Sequence, residues 1–144
     1  MPRIKLKKKN IYEFEYKTQI KVRDLNYGGH LGNDALVGIL HEARVDLFHL
    51  LGVSELDLGD ETTGIILTDL SVNYLGEGHM FDGLTVFSHI GEIGKTGFRI
   101  FHYMANGDKA IALAETGIKS FDYKTRRVVM NPESFINHLK KINN

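Results

Sequence analysis

The sequence predicts an α+β fold in which an antiparallel sheet curls around one long helix. Two observations lead to this prediction: one strong amphipathic helix pattern early in the chain, and a later series of β-rich segments joined by short turns. Strands joined by tight turns run antiparallel, and the apolar face of their sheet needs a cover. Only one long amphipathic helix is available to provide it, so a sheet wrapped around that helix is the simplest arrangement.

The first half of the chain contains a strand, a polar loop and this helix. Residues 12–22 alternate between apolar and charged side chains, which predicts a half-buried strand. Its aromatic members, expected on one face, are Tyr12, Phe14 and Tyr16. After a loop rich in glycine and asparagine, apolar residues spaced by three and four predict a helix over residues 34–51. We expect Asn33 as its N-cap and Gly52 just beyond its end.

The second half of the chain predicts four strands and a short final helix. The expected strands cover residues 65–75, 84–90, 98–104 and 110–121. The last two flank Asn106-Gly107-Asp108, which is a strong hairpin signal. A short amphipathic helix is expected after Pro132.

Length and composition are those of an ordinary globular domain. The chain has 144 residues, of which 42% are hydrophobic and 25% charged, so we expect one domain over residues 1–144. The basic residues 1–10 are expected to form a loose, solvated leader. No stretch is apolar enough to span a membrane, and no apolar segment follows the leader as it would in a signal peptide.

Charge and cysteine content exclude several functions. Lysine plus arginine total 18, as do aspartate plus glutamate, so the net charge is zero, which argues against a nucleic-acid-binding protein. The absence of cysteine excludes thiolate catalysis, zinc–thiolate sites and disulfides. Because the histidines have no metal-ligand spacing, we expect neither a metal nor a cofactor. This composition is compatible with the cytoplasm, which is the location we expect.

Residues suited to acyl transfer concentrate in the loop before the predicted helix. The polar ones are Asp24, Asn26, His30 and Asn33. Asp24 offers a general base or nucleophile, and His30 can transfer protons near neutral pH. Gly28 and Gly29 let a ligand approach the backbone closely. The start of the helix presents free N–H groups and a positive dipole, which suit an oxyanion.

A structural interpretation of the same loop stands beside the catalytic one. Asp24, Asn26 and Asn33 are also typical turn and capping residues, which satisfy backbone donors. His30 is equally compatible with a packed loop position. On the residues alone, both interpretations stay open.

Glu42 and Arg44 lie in the middle of the predicted helix without an opposite charge at the neighbouring helical positions. Each must reach solvent or find a partner elsewhere in the fold or in another subunit. Gly38, one turn before Glu42, leaves room for a ligand or a second chain. Glu42 is therefore both a candidate catalytic carboxylate and a candidate solvated charge. Lys95 is a candidate partner for ligand phosphates, with a solvated position as the alternative.

Three segments occur in a characteristic order. They are RDLNYGGHLGNDALVGILHEARVDLFHLLG, VNYLGEGHMFDGLTVF and GDKAIALAETGIKSFDYKTRRVVMNP. The series resembles hotdog-fold thioesterases of the 4-hydroxybenzoyl-CoA type. Its first loop is also similar to the D-x-[DN]-x-x-x-H-x-x-N loop of acyl-ACP thioesterases. The resemblance covers about residues 16–132, and the ordered series is more specific than any one segment.

The resemblance implies a five-stranded antiparallel sheet around a central helix, with a short C-terminal helix. It also implies a homodimer or homotetramer with acyl-thioester sites between subunits, and hydrolysis of acyl-CoA or acyl-ACP without a metal. Expected substrate contacts are Tyr27, Gly28, Gly29, Asn73, Lys95 and Thr96. Neither nucleic acid nor a membrane is an expected partner.

The chain departs from the family pattern at two positions. Many relatives carry D-x-D in the loop, and the second acid is here Asn26, which cannot act as a base. A carboxylate that acyl-ACP thioesterases place on the strand after the helix matches Asn73. The remaining candidates for the base are Asp24, His30 and Glu42. In this scheme the helix start holds the carbonyl oxygen, and Asn26 and Asn33 orient the carbonyl and the water. Asp24 or Glu42 activates the water with help from His30.

Two other functions fit the residues. Hotdog enoyl hydratases carry a D-x-N-x-x-H motif, which Asp24, Asn26 and His30 match in type but with one extra residue in the spacing. The two missing acids also fit a non-catalytic acyl-thioester-binding protein or a dimeric interaction module. For the thioesterase, we expect replacement of Asp24 or Glu42 by Ala to lower kcat far more than it raises KM.

Overall fold

The computed structural model describes residues 3–143, which form one antiparallel sheet and two helices. The elements are β1 (Phe14–Gln19), a 3-10 turn (Val22–Asp24), α1 (Asn33–Leu50), β2 (Thr63–Tyr74), β3 (Gly83–Gly91), β4 (Gly97–Asn106), β5 (Lys109–Asp122), β6 (Arg127–Val128) and α2 (Glu133–Ile142). The strand order is β1-β3-β4-β5-β2, with β6 paired to β5. The predicted fold class and its long elements are confirmed, and the two-residue strand β6 is an addition.

Helix α1 begins one residue earlier than predicted. Gly32 is its N-cap and Asn33 its first helical residue, so the prediction of Asn33 as N-cap is wrong. Gly32 N–H donates to the Asp24 carbonyl at 2.9 Å, and the Gly32 carbonyl accepts from Leu36 N–H at 3.0 Å. The main chain therefore fixes the helix start without a side-chain cap. At the other end Gly52 has a φ of +75°, the left-handed conformation expected after a helix.

The inner face of the sheet packs on α1 through two apolar clusters. The cluster at the first half of the helix includes Leu36, Leu40, Ala43, Leu84, Val86, Met104 and Ala112. The cluster at the second half includes Leu47, Phe48, Ile90, Phe98, Ile100, Ile118 and Phe135, which also anchors α2. Neither α1 nor α2 is long and apolar enough to cross a membrane.

A buried polar group lies on the inner face of the sheet beside α1. His102 of β4 is fully buried, and its Nδ1 lies 2.8 Å from Ser88 Oγ. Arg44 of α1 is also buried and donates through Nε to Glu55 at 2.9 Å, which supplies the tertiary partner expected for it. Burial, together with the positive charge of Arg44, lowers the pKa of His102 to about 3. His102 is therefore neutral in the folded chain near neutral pH.

The segment before β1 differs from the predicted loose leader. Leu6 N–H donates to Asn73 Oδ1 at 2.8 Å, and Asn73 Nδ2 donates to the Ile4 carbonyl at 2.8 Å. The Nζ atoms of Lys8 and Lys9 lie 4.2 and 3.9 Å from the centres of aromatic rings on the outer face of the sheet. These contacts hold residues 4–9 against the sheet. Residues 1 and 2 of the predicted leader lie outside the described residues.

Tyr12 also lies on the side of the sheet opposite to the predicted one. Its ring packs 6.3 Å from the rings of Phe87 and Tyr103, on the outer face, whereas Phe14 and Tyr16 pack against the inner core. The alternation of β1 starts only at Phe14. The chain before it follows a different path, so the pattern cannot be extended back to Tyr12.

Replacing His102 with Gln should make the free energy of unfolding less dependent on pH at acid pH. The pKa of His102 is about 3 in the folded chain against 6.5 for an ordinary histidine, so between these values only the unfolded chain binds the proton. The free energy of unfolding therefore falls as the pH drops through this window, by up to about 1.4 kcal/mol per pH unit from this group. Urea unfolding between pH 7 and pH 4 should give a shallower slope for His102→Gln. The exposed His138→Gln should keep the wild-type slope, and an unchanged slope in His102→Gln would contradict the prediction.

Candidate active site

The loop between β1 and α1 closes on itself as a tight turn. Asn26 N–H donates to the His30 carbonyl at 2.9 Å, and Gly29 N–H donates to the Asn26 carbonyl at 3.0 Å. Asn26 Oδ1 accepts from Gly28 N–H at 2.8 Å. Gly29 has a φ of +79°, a conformation that favours glycine. The side chains of Asn26 and His30 both lie beside Gly28. A Cβ atom added to Gly28 would be 3.2 Å from Asn26 Oδ1 and 3.3 Å from His30 Nε2, so the turn brings these two side chains together.

Hydrogen bonds attach this loop to the chain that follows β2. Leu31 N–H donates to the Gly78 carbonyl at 2.8 Å, and His30 pairs with His79 in an isolated antiparallel bridge. Tyr74 Oη donates to the Asn33 carbonyl at 3.2 Å. The polar loop and the start of α1 are therefore fixed beside the end of β2.

A cleft of about 390 Å³, here called the loop cleft, opens between these segments. Its walls are Asn26, His30, Leu31, Asn33, Tyr74, Leu75, Gly76 and Glu77. Within residues 3–143, the N–H groups of residues 33–35 donate no hydrogen bond, because the first turn of a helix lacks preceding carbonyl partners. The loop cleft thus combines amide, imidazole and carboxylate side chains with the free N–H groups of a helix start.

Asp24 supports the loop rather than forming a wall of the cleft. Its Oδ2 accepts from Lys21 N–H at 2.8 Å and closes the 3-10 turn. Its carbonyl accepts from Gly32 N–H at 2.9 Å and so holds the start of α1. Among the described residues, the walls of the loop cleft do not include Asp24. The structural role considered for Asp24 is therefore present in the fold.

Glu42 lies away from the loop residues. It follows Asn33 by nine positions in α1, which is about 14 Å along the helix axis. Its Oε1 accepts from Tyr16 Oη at 3.4 Å, in a shallow groove of about 520 Å³ on the exposed side of α1. Burial, with the adjacent Glu42 charge, raises the pKa of Tyr16. Within one chain, Glu42 is therefore not part of the loop cluster.

Asn73 and Tyr27 also lie apart from the loop cleft. The Asn73 side chain is engaged by the backbone of Ile4 and Leu6, so it anchors the N-terminal segment. Tyr27 occupies the tip of the turn, where its side chain is fully exposed. In the described chain neither residue lines the loop cleft.

Lys95 and Thr96 lie at the other end of the sheet. Tyr74 at the loop cleft pairs with Ala112, whereas Gly97 pairs with Lys119. Seven residues of β5 separate these two pairs, which is about 23 Å. Thr96 Oγ1 accepts from Lys119 Nζ at 3.1 Å. A single chain therefore does not bring this pair to the loop.

Sequence reasoning missed the two other polar side chains in the walls of the cleft, Tyr74 and Glu77. Glu77 is the carboxylate that lines the loop cleft together with His30, and its Oε2 lies 3.8 Å from His79 Nε2. A signal was present, since Glu77 lies between Gly76 and Gly78 in the turn after a predicted strand. Within residues 3–143, no group of three side chains is arranged to hold a metal ion.

The sequence profile of the thioesterase-like superfamily matches residues 20–139. The chain belongs to the thioesterase-like superfamily. The match includes the loop, α1 and all strands except β1, so the loop cleft lies within the part that defines the superfamily. No curated protein sequence matches the chain.

Solved structures confirm that this superfamily member has the hotdog fold. A 1,4-dihydroxy-2-naphthoyl-CoA thioesterase from Synechocystis is 16% identical with a TM-score of 0.80, covering 91% of this chain and 98% of that one. A Staphylococcus aureus protein in complex with CoA is 17% identical with a TM-score of 0.82, over 94% of this chain and 87% of that one. A gentisyl-coenzyme A thioesterase is 17% identical with a TM-score of 0.78, over 88% and 99%.

Two substitutions of Asn26 should separate its structural role from its amide chemistry. Asn26→Ala removes the acceptor for Gly28 N–H and should lower the free energy of unfolding by about 1 kcal/mol. Asn26→Asp keeps an oxygen at the same position and should unfold at nearly the wild-type urea concentration. Equal destabilisation by both substitutions would show that this hydrogen bond does not stabilise the turn.

Proposed function

We propose that this chain hydrolyses an acyl thioester carried by coenzyme A or by an acyl carrier protein. The observation that carries the proposal is the loop cleft, where Asn26, His30 and Asn33 meet the first turn of α1 in a thioesterase-like protein. The Synechocystis thioesterase and the CoA-bound Staphylococcus aureus protein support a CoA ester. Hydrolysis requires a base for the attacking water and donors for the oxyanion. The cleft contains groups of both kinds.

In the proposed reaction the thioester carbonyl lies at the start of α1. The free N–H groups of residues 33–35 stabilise the oxyanion, aided by the positive end of the helix dipole. Asn26 and Asn33 orient the carbonyl and the water. His30 accepts a proton as water attacks the carbonyl carbon, and returns it to the sulfur when the carbon–sulfur bond breaks. Glu77 is the carboxylate of the same cleft and supports the imidazolium that forms.

We propose further that two copies pair through their β2 strands. Within the described chain β2 pairs with β5, and on its other side only its first residues are engaged, since Leu58 N–H donates to the Thr63 carbonyl and Ile65 N–H donates to the Glu55 carbonyl. Residues 67–70 of this strand are exposed, including Leu67 and Leu70. From residue 66 to residue 74 this edge of the described chain is open, and an open edge of this length is normally covered or paired. The assembly would be a homodimer, or a homotetramer built from two such dimers.

Antiparallel pairing of the β2 strands would also explain the two separated groups of predicted site residues. In such a dimer the Thr63 end of one β2 lies beside the Tyr74 end of the other. Lys95 and Thr96 are close to the Thr63 end of β2. They precede Gly97, which pairs with Lys119 on one side of β5, and Ile66 of β2 pairs with Lys119 on the other side. The pair would then approach the loop cleft of the other copy. Sites between subunits follow from this arrangement.

Removal of the His30 imidazole should abolish most of the turnover. We expect His30→Ala to lower kcat about 100-fold with little change in KM, because the base acts in the chemical step. Glu77→Gln should lower kcat about tenfold by the same logic, and the exposed Glu133→Gln serves as its control. Release of free thiol from short, long and aromatic acyl-CoA esters provides the measurement.

The same assay separates the alternative roles. A larger loss in Asp24→Asn or Glu42→Gln than in Glu77→Gln would transfer the carboxylate role to that residue. Tight binding of all esters without thiol release would replace the hydrolase with an acyl-thioester-binding protein. Loss of the ultraviolet band of an enoyl ester without thiol release would indicate a hydratase.

A charge on the open edge should separate the proposed subunits. Leu70→Lys places a charge in the middle of β2, so we expect a monomer in sedimentation velocity and a loss of turnover with the fold retained by circular dichroism. Leu50→Lys changes an equally apolar, exposed residue at the end of α1, and should leave the oligomer intact. An unchanged oligomer in Leu70→Lys would contradict pairing through β2.

A further inference from the structure

A second cleft adjoins the loop cleft around the end of β2. It measures about 470 Å³ and is here called the basic cleft. Its walls are Arg3, Lys5, Leu6, Val72, Asn73, Tyr74, Leu75 and Leu113. Tyr74 and Leu75 line both clefts, so the two are neighbours across one short stretch of chain. A ligand with two ends could therefore occupy both.

The cations of the basic cleft have a fixed backbone. Asn73 holds the Ile4 carbonyl and Leu6 N–H through two hydrogen bonds of 2.8 Å. Arg3 and Lys5 flank Ile4 and so lie beside the end of β2. The N-terminal segment continues across the outer face of the sheet, where Lys8 and Lys9 lie over aromatic rings. Ordering of this backbone reduces the entropy that a ligand must remove on binding.

The positive charge of this segment has no local balance. Residues 3–9 contain Arg3, Lys5 and three further lysines, and the first acidic residue is Glu13. Within residues 3–143, no carboxylate lies within 4.0 Å of Arg3 or Lys5, and both residues are exposed. Unpaired cations that line a cleft bind anionic oxygens, and arginine is especially suited to phosphate.

A third cation lies at the junction of the two clefts. Lys109 Nζ donates to the carbonyl of Glu77, a residue of the loop cleft wall. Its Cε would be 3.3 Å from a Cβ added to Gly76. A lysine side chain therefore lies close to the stretch of chain that the two clefts share.

We propose that Arg3 and Lys5 bind the phosphate groups of the nucleotide part of coenzyme A. The flexible arm of the ligand then passes Tyr74 and Leu75, and its thioester reaches Asn26 and His30. This inference rests on the proposed thioester hydrolysis and adds to it the carrier and its subsite. In this proposal the N-terminal segment binds the phosphates of the substrate, whereas the loop cleft binds its thioester.

Binding and kinetics of the double variant Arg3→Ala/Lys5→Ala test the proposal. Calorimetry with free coenzyme A should give a dissociation constant about tenfold above that of the wild-type full chain, since two charge-assisted contacts are lost. In thiol-release assays, kcat/KM for an acyl-CoA should fall about tenfold relative to kcat/KM for the same acyl group on N-acetylcysteamine, which lacks the nucleotide and all phosphates. Dephospho-coenzyme A shows whether the 3′-phosphate is one of the groups bound.

Lys7→Ala is the matched control, because it removes an exposed lysine of the same segment that does not line the basic cleft. It should leave the affinity for coenzyme A within about twofold, as expected for a distant exposed charge. An unchanged dissociation constant in the double variant, an equal effect of Lys7→Ala, or no binding of coenzyme A to the wild-type chain would each overturn the subsite. Failure of the proposed hydrolysis is a different result: no thiol is released from any ester, whatever the binding data show.

Discussion

Helix α1 buries one side against the inner face of the sheet, from Leu36 near its start to Phe48 near its end. Each large side chain buried in this way contributes about 2 kcal/mol relative to an exposed one, so the helix is held along its whole length. Its start is consequently fixed beside the end of β2, where Leu31 and Tyr74 make the connecting hydrogen bonds. The position of the loop cleft is therefore a consequence of core packing, and the loop itself only has to supply the polar side chains.

The interior contains an exception to this apolar packing. His102, Ser88 and Arg44 are buried among the clusters, and only part of their hydrogen-bonding capacity is satisfied by protein atoms in residues 3–143. Arg44 Nε donates a hydrogen bond to Glu55 at the edge of the core. This bond connects the middle of α1 to the segment before β2. Because a buried charge without a partner is costly, this pair constrains the path of that segment. The low pKa of His102 follows from the same surroundings.

Positive charge is concentrated in one part of the fold, although the chain has no net charge. A net charge of zero hides a basic N-terminal segment that the sheet holds in place through Asn73 and the rings of Phe101 and Tyr103. The carboxylates are elsewhere, and several are engaged in local contacts, such as Asp24 with the backbone of Lys21. Under the proposed function this basic segment would meet the phosphate groups of a CoA ester.

The sequence by itself determined the fold class, α1, the long strands and the concentration of polar residues before the helix. These features depend on periodicity and on turn residues, which act over a few neighbouring positions. Only the tertiary structure decided which of those residues share a cleft. It grouped His30 with Glu77, more than 40 positions apart, and separated Asn26 from Glu42 and Lys95. Such contacts depend on which strands that are distant in the sequence pair and on how the chain crosses between layers, and patterns over a few neighbouring positions do not fix either.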